Sequence, residues 1–127
     1  MSSLLQELLG IEQRCANLFN QGNLDEILEY FDDAICGFSS TQLQRFVGKT
    51  ALQNTFEYYR KEADRLEYKI HDPHLIELGD SAVLDFQWSV TLFAGEHEKV
   101  IPGRGTHVYI KRDGAWKIIY EHFSRAH

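Results

Sequence analysis

Apolar and polar residues alternate from Ala82 to Phe93, and this alternation constrains the fold more than any other feature of the sequence. One face of the segment is entirely apolar and consists of Ala82, Leu84, Phe86, Trp88, Val90 and Leu92. A repeat of two residues is the period of a β-strand, and a strand with one apolar face needs other elements to cover that face. The segment therefore predicts a long strand in a sheet that is buried on one side and largely polar on the other.

Helical periodicity precedes this strand. The apolar residues from Leu4 to Phe19 fall mostly on one helical stripe, and Gly22 offers a left-handed stop after them. A short second helix is predicted after Asn23, which we expect to form a capping box with Glu26. A third helix is predicted from Lys49 to about Ala63, where apolar residues again recur at helical spacing.

Strand and turn signals account for the remainder of the chain. They predict a first strand from Ala34 to Ser39 and a bend at Asp72-Pro73. From Gly95 to Gly105 they predict a connection and the start of the next strand. The last quarter predicts a β-hairpin closed near Asp113-Gly114. Helices followed by antiparallel strands predict one α+β domain over residues 1–127, with the helices packed in the hollow of a strongly curved sheet.

Two registers of this hairpin remain open. A two-residue turn pairs Arg112 with Ala115, whereas a three-residue loop pairs Lys111 with Ala115. A slip of one residue moves every side chain to the opposite face of the sheet. Apolar content alone favours turning Trp116 and Ile118 inward, toward the helices.

The register also decides which polar side chains face the hollow of the sheet. One register turns His107 and Glu121 inward, and the other turns Arg104 and His122 inward. All four side chains are therefore candidates for contact with a ligand. Which pair lies inside decides where any acid–base chemistry takes place, because only an enclosed pair meets a substrate away from bulk water.

Three stretches resemble the nuclear transport factor 2-like superfamily, and most closely its SnoaL-like members and the association domain of calcium/calmodulin-dependent kinase II. They are Asp72-Pro73-His74 followed by Gly79-Asp80, then Gly103 to Thr106, and finally Arg112 to Ser124. The resemblance implies a cone-shaped, cystatin-like fold with a mixed or antiparallel sheet, and a homodimer. It does not imply one reaction, because a fold of this kind hosts many functions.

The resemblance further implies the three-residue loop, which turns His107 and Glu121 toward the pocket. His107 beside Glu121 is then expected to act as a general acid or base, since burial and a neighbouring carboxylate tune a histidine near neutral pH. The alternative is a structural His–Glu pair without turnover. The candidate ligand-binding residues over both registers are Phe86, Trp88, Arg104, Tyr109, His122 and Phe123.

On this register the outer face of the sheet carries Trp116 together with polar residues such as Thr106 and Ser124. An exposed sheet face that bears a tryptophan tends to find a partner. We therefore expect a homodimer to form through the outer face, in agreement with what the resemblance implies.

The sequence also departs from its relatives at positions that matter for ligands. The association domain lines its pocket with arginines, and the matching positions here are Trp88, His107 and Phe123. Anion binding of that kind is therefore not expected. The ketosteroid isomerases use a tyrosine and two carboxylic acids, and no such trio can be placed, because Asp85 lies on the polar face of its strand.

Charge and composition exclude several classes of partner. The formal net charge is −6 and no more than two Lys or Arg residues are adjacent, which argues against nucleic acid and acidic membranes. No apolar run approaches the roughly 20 residues of a membrane helix, and the N-terminus lacks the features of a signal peptide, so we expect a cytoplasmic protein. His71 and His74 flank a bend without a third ligand, so no metal is expected. No cofactor motif is present.

Two hypotheses about function follow. The first is a protein that binds a small apolar or aromatic compound, with acid–base isomerase, lyase or cyclase chemistry as its enzymatic form. The second is a non-catalytic association module with a vestigial pocket. An open pocket with convergent His, Tyr and Glu side chains favours the first, whereas a pocket filled by Phe86, Trp88 and Phe123 favours the second.

Overall fold

The computed structural model describes residues 3–126, in which helices precede most of a mixed sheet. The helices are α1 (Leu4–Gln21), α2 (Leu24–Ile27), which continues as a 3₁₀ turn (Leu28–Tyr30), and α3 (Lys49–Arg60). The strands are β1 (Phe31–Phe38), β2 (Phe46–Val47), β3 (Arg65–Leu78), β4 (Ser81–Ala94), β5 (His97–Arg112) and β6 (Ala115–Arg125).

The six described strands form one sheet in the order β2-β1-β6-β5-β4-β3. Strands β3 to β6 are antiparallel to their sequence neighbours, and β1 lies parallel to β6. The predicted α+β fold with a mixed sheet is confirmed. Within residues 3–126, no helix combines the length and the apolar character that crossing a membrane requires.

Strand β4 provides the central wall of the core. Its alternate residues are buried as predicted, with at most 4% exposure for Ala82, Leu84, Phe86, Trp88 and Val90. Helix α1 covers this face, and its own buried apolar residues are Leu8, Ile11, Ala16 and Phe19. Removing this much apolar surface from water on both layers is what holds the helix against the sheet.

Helix α1 ends where the sequence predicts, whereas the prediction for the start of the next helix is wrong. Gly22 ends α1 with a φ of 82°, as the left-handed stop predicted. The expected capping box is wrong, because the side chain of Asn23 makes no capping hydrogen bond. Helix α2 has only one turn, and Phe31, which the sequence placed on this helix, is the first residue of strand β1.

The segment from Gly95 to Gly105 contains more strand and less connection than predicted, because strand β5 begins at His97. The strand pairs with β4 from His97 to Ile110, although it contains Pro102 and two glycines. Gly103 is required there by close packing. A Cβ at this position would lie 2.1 Å from Cζ2 of Trp88 and 2.4 Å from the carbonyl oxygen of Ser124.

The hairpin between β5 and β6 combines features of both predicted registers. The turn has two residues, since Arg112 pairs with Ala115, and Asp113 and Gly114 have φ values of 50° and 81°. The three-residue loop is therefore wrong. A β-bulge at Ile119 then inserts one extra residue into β6 and shifts the pairing beyond it.

This bulge turns two different sets of residues inward. Before it, Trp116 and Ile118 are buried, so the expectation of Trp116 on the outer face is wrong. Beyond it, His107 pairs with Glu121 and both are buried. Each register that the sequence left open is thus realised in one half of the hairpin.

The contact at Gly103 predicts opposite effects for two glycine substitutions. Gly103→Ala should destabilise the protein by about 2–3 kcal/mol, because neither the indole of Trp88 nor the backbone of β6 can move aside freely. Gly10→Ala should stabilise it by up to about 1 kcal/mol, because a Cβ there meets only the flexible end of Arg14 at 3.4 Å and favours the helix. Urea unfolding of the two variants checks both signs, and equal stability of Gly103→Ala and wild type would contradict the packing argument.

Candidate functional site

A cavity of about 90 Å³ lies between the helices and the inner face of the sheet. Most of its wall is apolar. Polar side chains reach it from helices α1 and α3, from strands β3, β5 and β6, and from the loop after β1. The lining residues are Glu12, Cys15, Phe19, Ile27, Phe31, Ser39, Ser40, Thr55, Phe56, Tyr59, Tyr68, Trp88, Val90, His107, Glu121 and Phe123. The concave face of the sheet therefore leaves space that the core does not fill.

Three ionisable side chains meet in the wall of this cavity. Nδ1 of His107 lies 2.6 Å from Oε2 of Glu12, and Nε2 lies 2.7 Å from Oε1 of Glu121. All three side chains are at most 6% exposed. One imidazole therefore bridges a carboxylate from helix α1 and a carboxylate from strand β6.

The two carboxylates determine the protonation state of His107. Burial disfavours the imidazolium, but Glu12 and Glu121 outweigh burial and raise the pKa of His107 to about 10. At neutral pH both ring nitrogens therefore carry protons and donate to the carboxylates. An imidazolium between two carboxylates leaves one net negative charge in the site.

The two carboxylates differ in how strongly they are held. Oε2 of Glu12 also accepts a hydrogen bond from the hydroxyl of Tyr109 at 2.5 Å, so it has two donors. Glu121 has one donor, His107, among the described residues. The second oxygens, Oε1 of Glu12 and Oε2 of Glu121, accept no hydrogen bond from residues 3–126. Glu121 is thus the less neutralised of the two carboxylates.

Tyr68 of strand β3 contributes a hydroxyl group to the same cavity. Its backbone is tied to Asn20 of α1 by two hydrogen bonds, of 2.7 Å and 3.3 Å, which fix its position. Its hydroxyl has no hydrogen-bond partner among the described residues. Burial, and then the charges of Glu12 and Glu121, raise the pKa of Tyr68 well above its ordinary value, so the hydroxyl keeps its proton.

An aromatic wall adjoins Tyr68. Phe123 stacks on Trp88 at 5.7 Å and on Tyr68 at 6.4 Å between ring centroids. Nε1 of Trp88 is buried and has no partner within residues 3–126. An unpaired buried N–H group of this kind costs roughly 1–3 kcal/mol, which an acceptor from outside the chain would recover.

Four of the predicted site residues lie in the cavity wall, and four do not. His107, Glu121, Trp88 and Phe123 line the cavity. The remaining four need correction. Tyr109 is buried behind the cavity against Glu12, and Phe86 supports the wall from behind, with its ring 5.4 Å from that of His107.

Arg104 and His122 lie outside the cavity altogether, and the register explains why. Both side chains are exposed on the outer face, where Arg104 pairs with Ser124 and His122 pairs with Thr106. Beyond the bulge at Ile119, the odd-numbered residues of β6 face inward and the even-numbered residues, including His122, face outward. These two predicted ligand contacts are therefore wrong.

Glu12 and Tyr68 are the functional candidates that sequence reasoning missed. Glu12 lies in the middle of the apolar stripe of α1, four residues from Leu8 and from Ala16. A carboxylate at a position that periodicity assigns to the core is a recognisable signal of a buried polar pair. Tyr68 carried no such signal, because its strand was not delimited from the sequence.

The described residues hold no cluster of three or more His, Cys, Asp or Glu side chains that is arranged to bind a metal ion. Both nitrogens of His107 are engaged by carboxylates, so neither is free to ligate. Cys15 lies in the cavity wall, where burial, followed by the charges of Glu12 and Glu121, raises the pKa of its thiol. It therefore remains a neutral thiol.

Solved structures with the same fold include proteins of different kinds. An NTF2-like protein of unknown function from Pseudomonas putida has a TM-score of 0.83 at 22% identity, covering 98% of this chain and 88% of that chain. The CaMKII hub homology domain of Chlamydomonas reinhardtii has a TM-score of 0.83 at 19% identity, covering 98% of this chain and 100% of that one. A candidate scytalone dehydratase from Novosphingobium aromaticivorans has a TM-score of 0.84 at 10% identity, covering 97% and 84%.

These similarities establish the fold alone, because the identities are low. A comparison with curated proteins finds no match to this sequence. A family model described as the SnoaL-like domain matches residues 11–127, from within helix α1 to the end of the chain. The chain therefore belongs to the SnoaL-like domain family, within the NTF2-like fold that the hairpin and the long strand predicted.

Proposed function

We propose that this protein binds a small, largely apolar compound in the cavity and catalyses proton transfer on it, with Glu121 as the base. The observation that carries the proposal is the Glu12–His107–Glu121 arrangement in the wall of a largely apolar cavity. Burying three ionisable groups is expensive compared with apolar packing of similar volume. A catalytic site needs space for a substrate beside its ionisable groups, and the cavity provides that space.

The open cavity supports ligand binding over a vestigial pocket. Trp88 and Phe123 line the cavity, Phe86 packs behind them, and the three do not fill the space, since about 90 Å³ remains. Histidine, tyrosine and glutamate side chains converge on that space. An open cavity and converging polar side chains are the two features expected of a ligand-binding site, whereas a vestigial pocket would be filled.

Glu121 is a better candidate for the base than His107. An imidazolium with a pKa of about 10 and both nitrogens donating has no lone pair with which to take a proton. Glu121 keeps a second oxygen that accepts no hydrogen bond from the described residues, and it has one donor where Glu12 has two. His107 then acts as a positioning residue, because it holds the carboxylate and compensates its charge.

The reaction classes compatible with this arrangement begin with removal of a proton from carbon or oxygen. They are isomerisation, elimination and cyclisation, each of which a carboxylate base initiates without a metal or an organic cofactor. The candidate scytalone dehydratase shares the fold, which is consistent with such chemistry without assigning it.

Hydrogen–deuterium exchange on a carbon acid tests the proposed base without knowledge of the substrate. Wild-type protein in D₂O should accelerate loss of the α-hydrogens of cyclohexanone, measured by proton NMR. Glu121→Gln, which keeps the shape of the side chain, should reduce this exchange by about a hundredfold or more. The exposed Glu77→Gln variant is the matched control and should exchange like wild type. Equal rates for wild type and Glu121→Gln would remove Glu121 from the role.

The charge of His107 predicts how stability depends on pH. The imidazole has a pKa of about 6.5 in an unfolded chain and about 10 in the fold, so the folded state retains a proton that the unfolded state releases. The stabilisation is fully present below about pH 6.5 and should decline as the pH rises toward 10. Urea unfolding across this range should show the decline for wild type and a weaker one for His107→Gln. A neutral His107 ring in NMR spectra at about pH 8 would contradict the assignment.

We further propose that two copies of the chain associate through the outer face of the sheet. An apolar row crosses this face, with Ile76 paired to Val83, Val83 to Val108, and Val108 to Tyr120. Asp85 and the exposed Arg104 lie on the same face of the sheet, so two copies related by a two-fold axis offer each other opposite charges. Within one copy, Asp85 lies 3.5 Å from Nδ1 of His74. The hub homology domain shares this fold, which is consistent with assembly.

A charge placed in the apolar row should disrupt this dimer. Sedimentation velocity at micromolar concentration should show a dimer for wild type and a monomer for Val108→Asp, because the new carboxylate would be buried without a partner. Leu43→Asp is the control, since Leu43 is 87% exposed in the loop after β1 and lies off the sheet. A monomeric wild-type protein at this concentration would refute the proposed interface.

A further inference from the structure

A polar groove lies on the surface of the protein, outside the cavity. It is an open depression of about 530 Å³ between the loop after β1, helix α3 and the end of strand β6. Most of its described lining residues bear hydroxyl groups, one bears a guanidinium and none bears a carboxylate. They are Ser39, Ser40, Thr41, Tyr58, Phe123, Ser124 and Arg125. In a chain with a net charge of −6, a groove of this composition is a local exception.

Arg125 is held in place by the protein itself. Its Nε donates to the hydroxyl of Tyr59 at 3.1 Å, and its guanidinium lies 5.4 Å from the centre of the Tyr59 ring. Its backbone pairs with Gly103 of β5, and the following amide, of Ala126, donates to the carbonyl oxygen of Pro102 at 3.0 Å. Tyr59 is in turn buried on helix α3. A guanidinium fixed in this way loses little rotamer freedom when it binds a ligand.

The charge of Arg125 is not compensated within the described part of the chain. No Asp or Glu of residues 3–126 forms an ion pair with it, whereas Arg112 is paired with Asp32 at 2.6 Å. The hydrogen bond to Tyr59 uses Nε only, so the two terminal nitrogens keep their N–H groups for another acceptor. Such a fork matches two oxygens of an oxyanion, and charge-assisted hydrogen bonds are roughly twice as strong as neutral ones.

The hydroxyl groups of the groove keep donors free as well. Oγ of Ser39 lies 2.7 Å from Oγ1 of Thr41. The hydroxyl of Ser40 lies 3.2 Å from that of Tyr59. One hydrogen bond uses one of the two protons in each pair, so each pair retains one O–H group that can donate. The hydroxyl of Tyr58 has no hydrogen-bond partner among residues 3–126, and it adds a further donor.

We propose that this groove is a binding site for a phosphate group, either free or carried by a small molecule. A carboxylate has two oxygens, which the fork of Arg125 satisfies alone. A phosphate group has at least three terminal oxygens and close to two negative charges at neutral pH, so it accepts from hydroxyl groups as well as from the fork. The hydroxyl groups around Arg125 therefore favour phosphate over carboxylate.

The groove and the cavity differ in charge, which separates the two sites. The cavity carries a net negative charge from one imidazolium and two carboxylates. The described lining of the groove carries a positive charge from Arg125. Ser39, Ser40 and Phe123 line both spaces, so the phosphate binds next to the cavity wall and outside it. The phosphate site does not depend on Glu121 being a base.

NMR titration of the full, ¹⁵N-labelled chain with three probes tests the site. Inorganic phosphate and phenyl phosphate carry the tetrahedral group, and acetate carries a carboxylate. Each probe is added at about pH 8, where a phosphate group has two charges, and sodium chloride keeps the ionic strength constant. The variants are Arg125→Gln and Arg125→Lys. The matched control is Arg14→Gln, because Arg14 is also stacked on a tyrosine, Tyr30, but does not line the groove.

Both phosphate probes should shift the amide signals of the loop after β1 and of the end of β6 in wild type, and acetate should bind more weakly. Arg125→Gln should weaken phosphate binding by about tenfold or more, because charge-assisted hydrogen bonds are lost. Arg125→Lys keeps the charge without the fork and should lie between the two. Arg14→Gln should match wild type. Tighter binding of phenyl phosphate assigns the site to a phosphorylated small molecule, and tighter binding of inorganic phosphate assigns it to the free ion.

Three results would overturn the phosphate site. They are equal phosphate affinity of Arg125→Gln and wild type, shifts confined to other parts of the chain, and acetate binding as tight as that of phosphate. The preference among probes is measured on wild type, so it decides the matter even where a variant does not fold. Proton exchange that is indifferent to Glu121→Gln would refute the proposed base and would leave the phosphate site standing, so the two failures are distinguishable.

Discussion

The rest of the structure depends on the hydrogen bonds that His107 makes to Glu12 and Glu121. They join the first helix to strands β5 and β6, which lie far away in the sequence. A second polar link joins Asn20 to the backbone of Tyr68, eight residues along the same helix and hence about 12 Å further on. Between these two links, Cys15 and Phe19 face the cavity. Polar contacts thus join helix α1 to the sheet on both sides of the residues that face the cavity.

The bulge at Ile119 is what makes the core and the site compatible. Strand β6 must bury Trp116 and Ile118 in the core and also aim Glu121 at His107, and these residues have opposite parity. A regular strand satisfies only one requirement, because its side chains alternate strictly. One extra residue resolves the conflict by shifting the alternation between the two groups.

Sequence patterns predicted the layers well and the site incompletely, for physical reasons. The long strand β4, the stop at Gly22 and the two-residue Asp-Gly turn follow from local rules of burial and backbone conformation. A bulge is not a local signal, since it depends on what the partner strand presents, and so both registers appeared consistent with half of β6. Glu12 interrupts an apolar stripe visibly, but the partner that makes its burial tolerable lies 95 residues away, at His107.

The alternation of the sheet also separates the proposed assembly surface from the cavity. Along β5, His107 and Tyr109 face the helices, whereas Thr106 and Val108 face outward. The proposed assembly surface and the cavity can therefore change independently, although neighbouring residues of one strand contribute to both. A substitution that alters assembly reaches the cavity only through the backbone, because its side chain lies on the opposite side of the sheet. The fold leaves both faces of the sheet free to vary, so the site, not the fold, must decide which role a given chain performs.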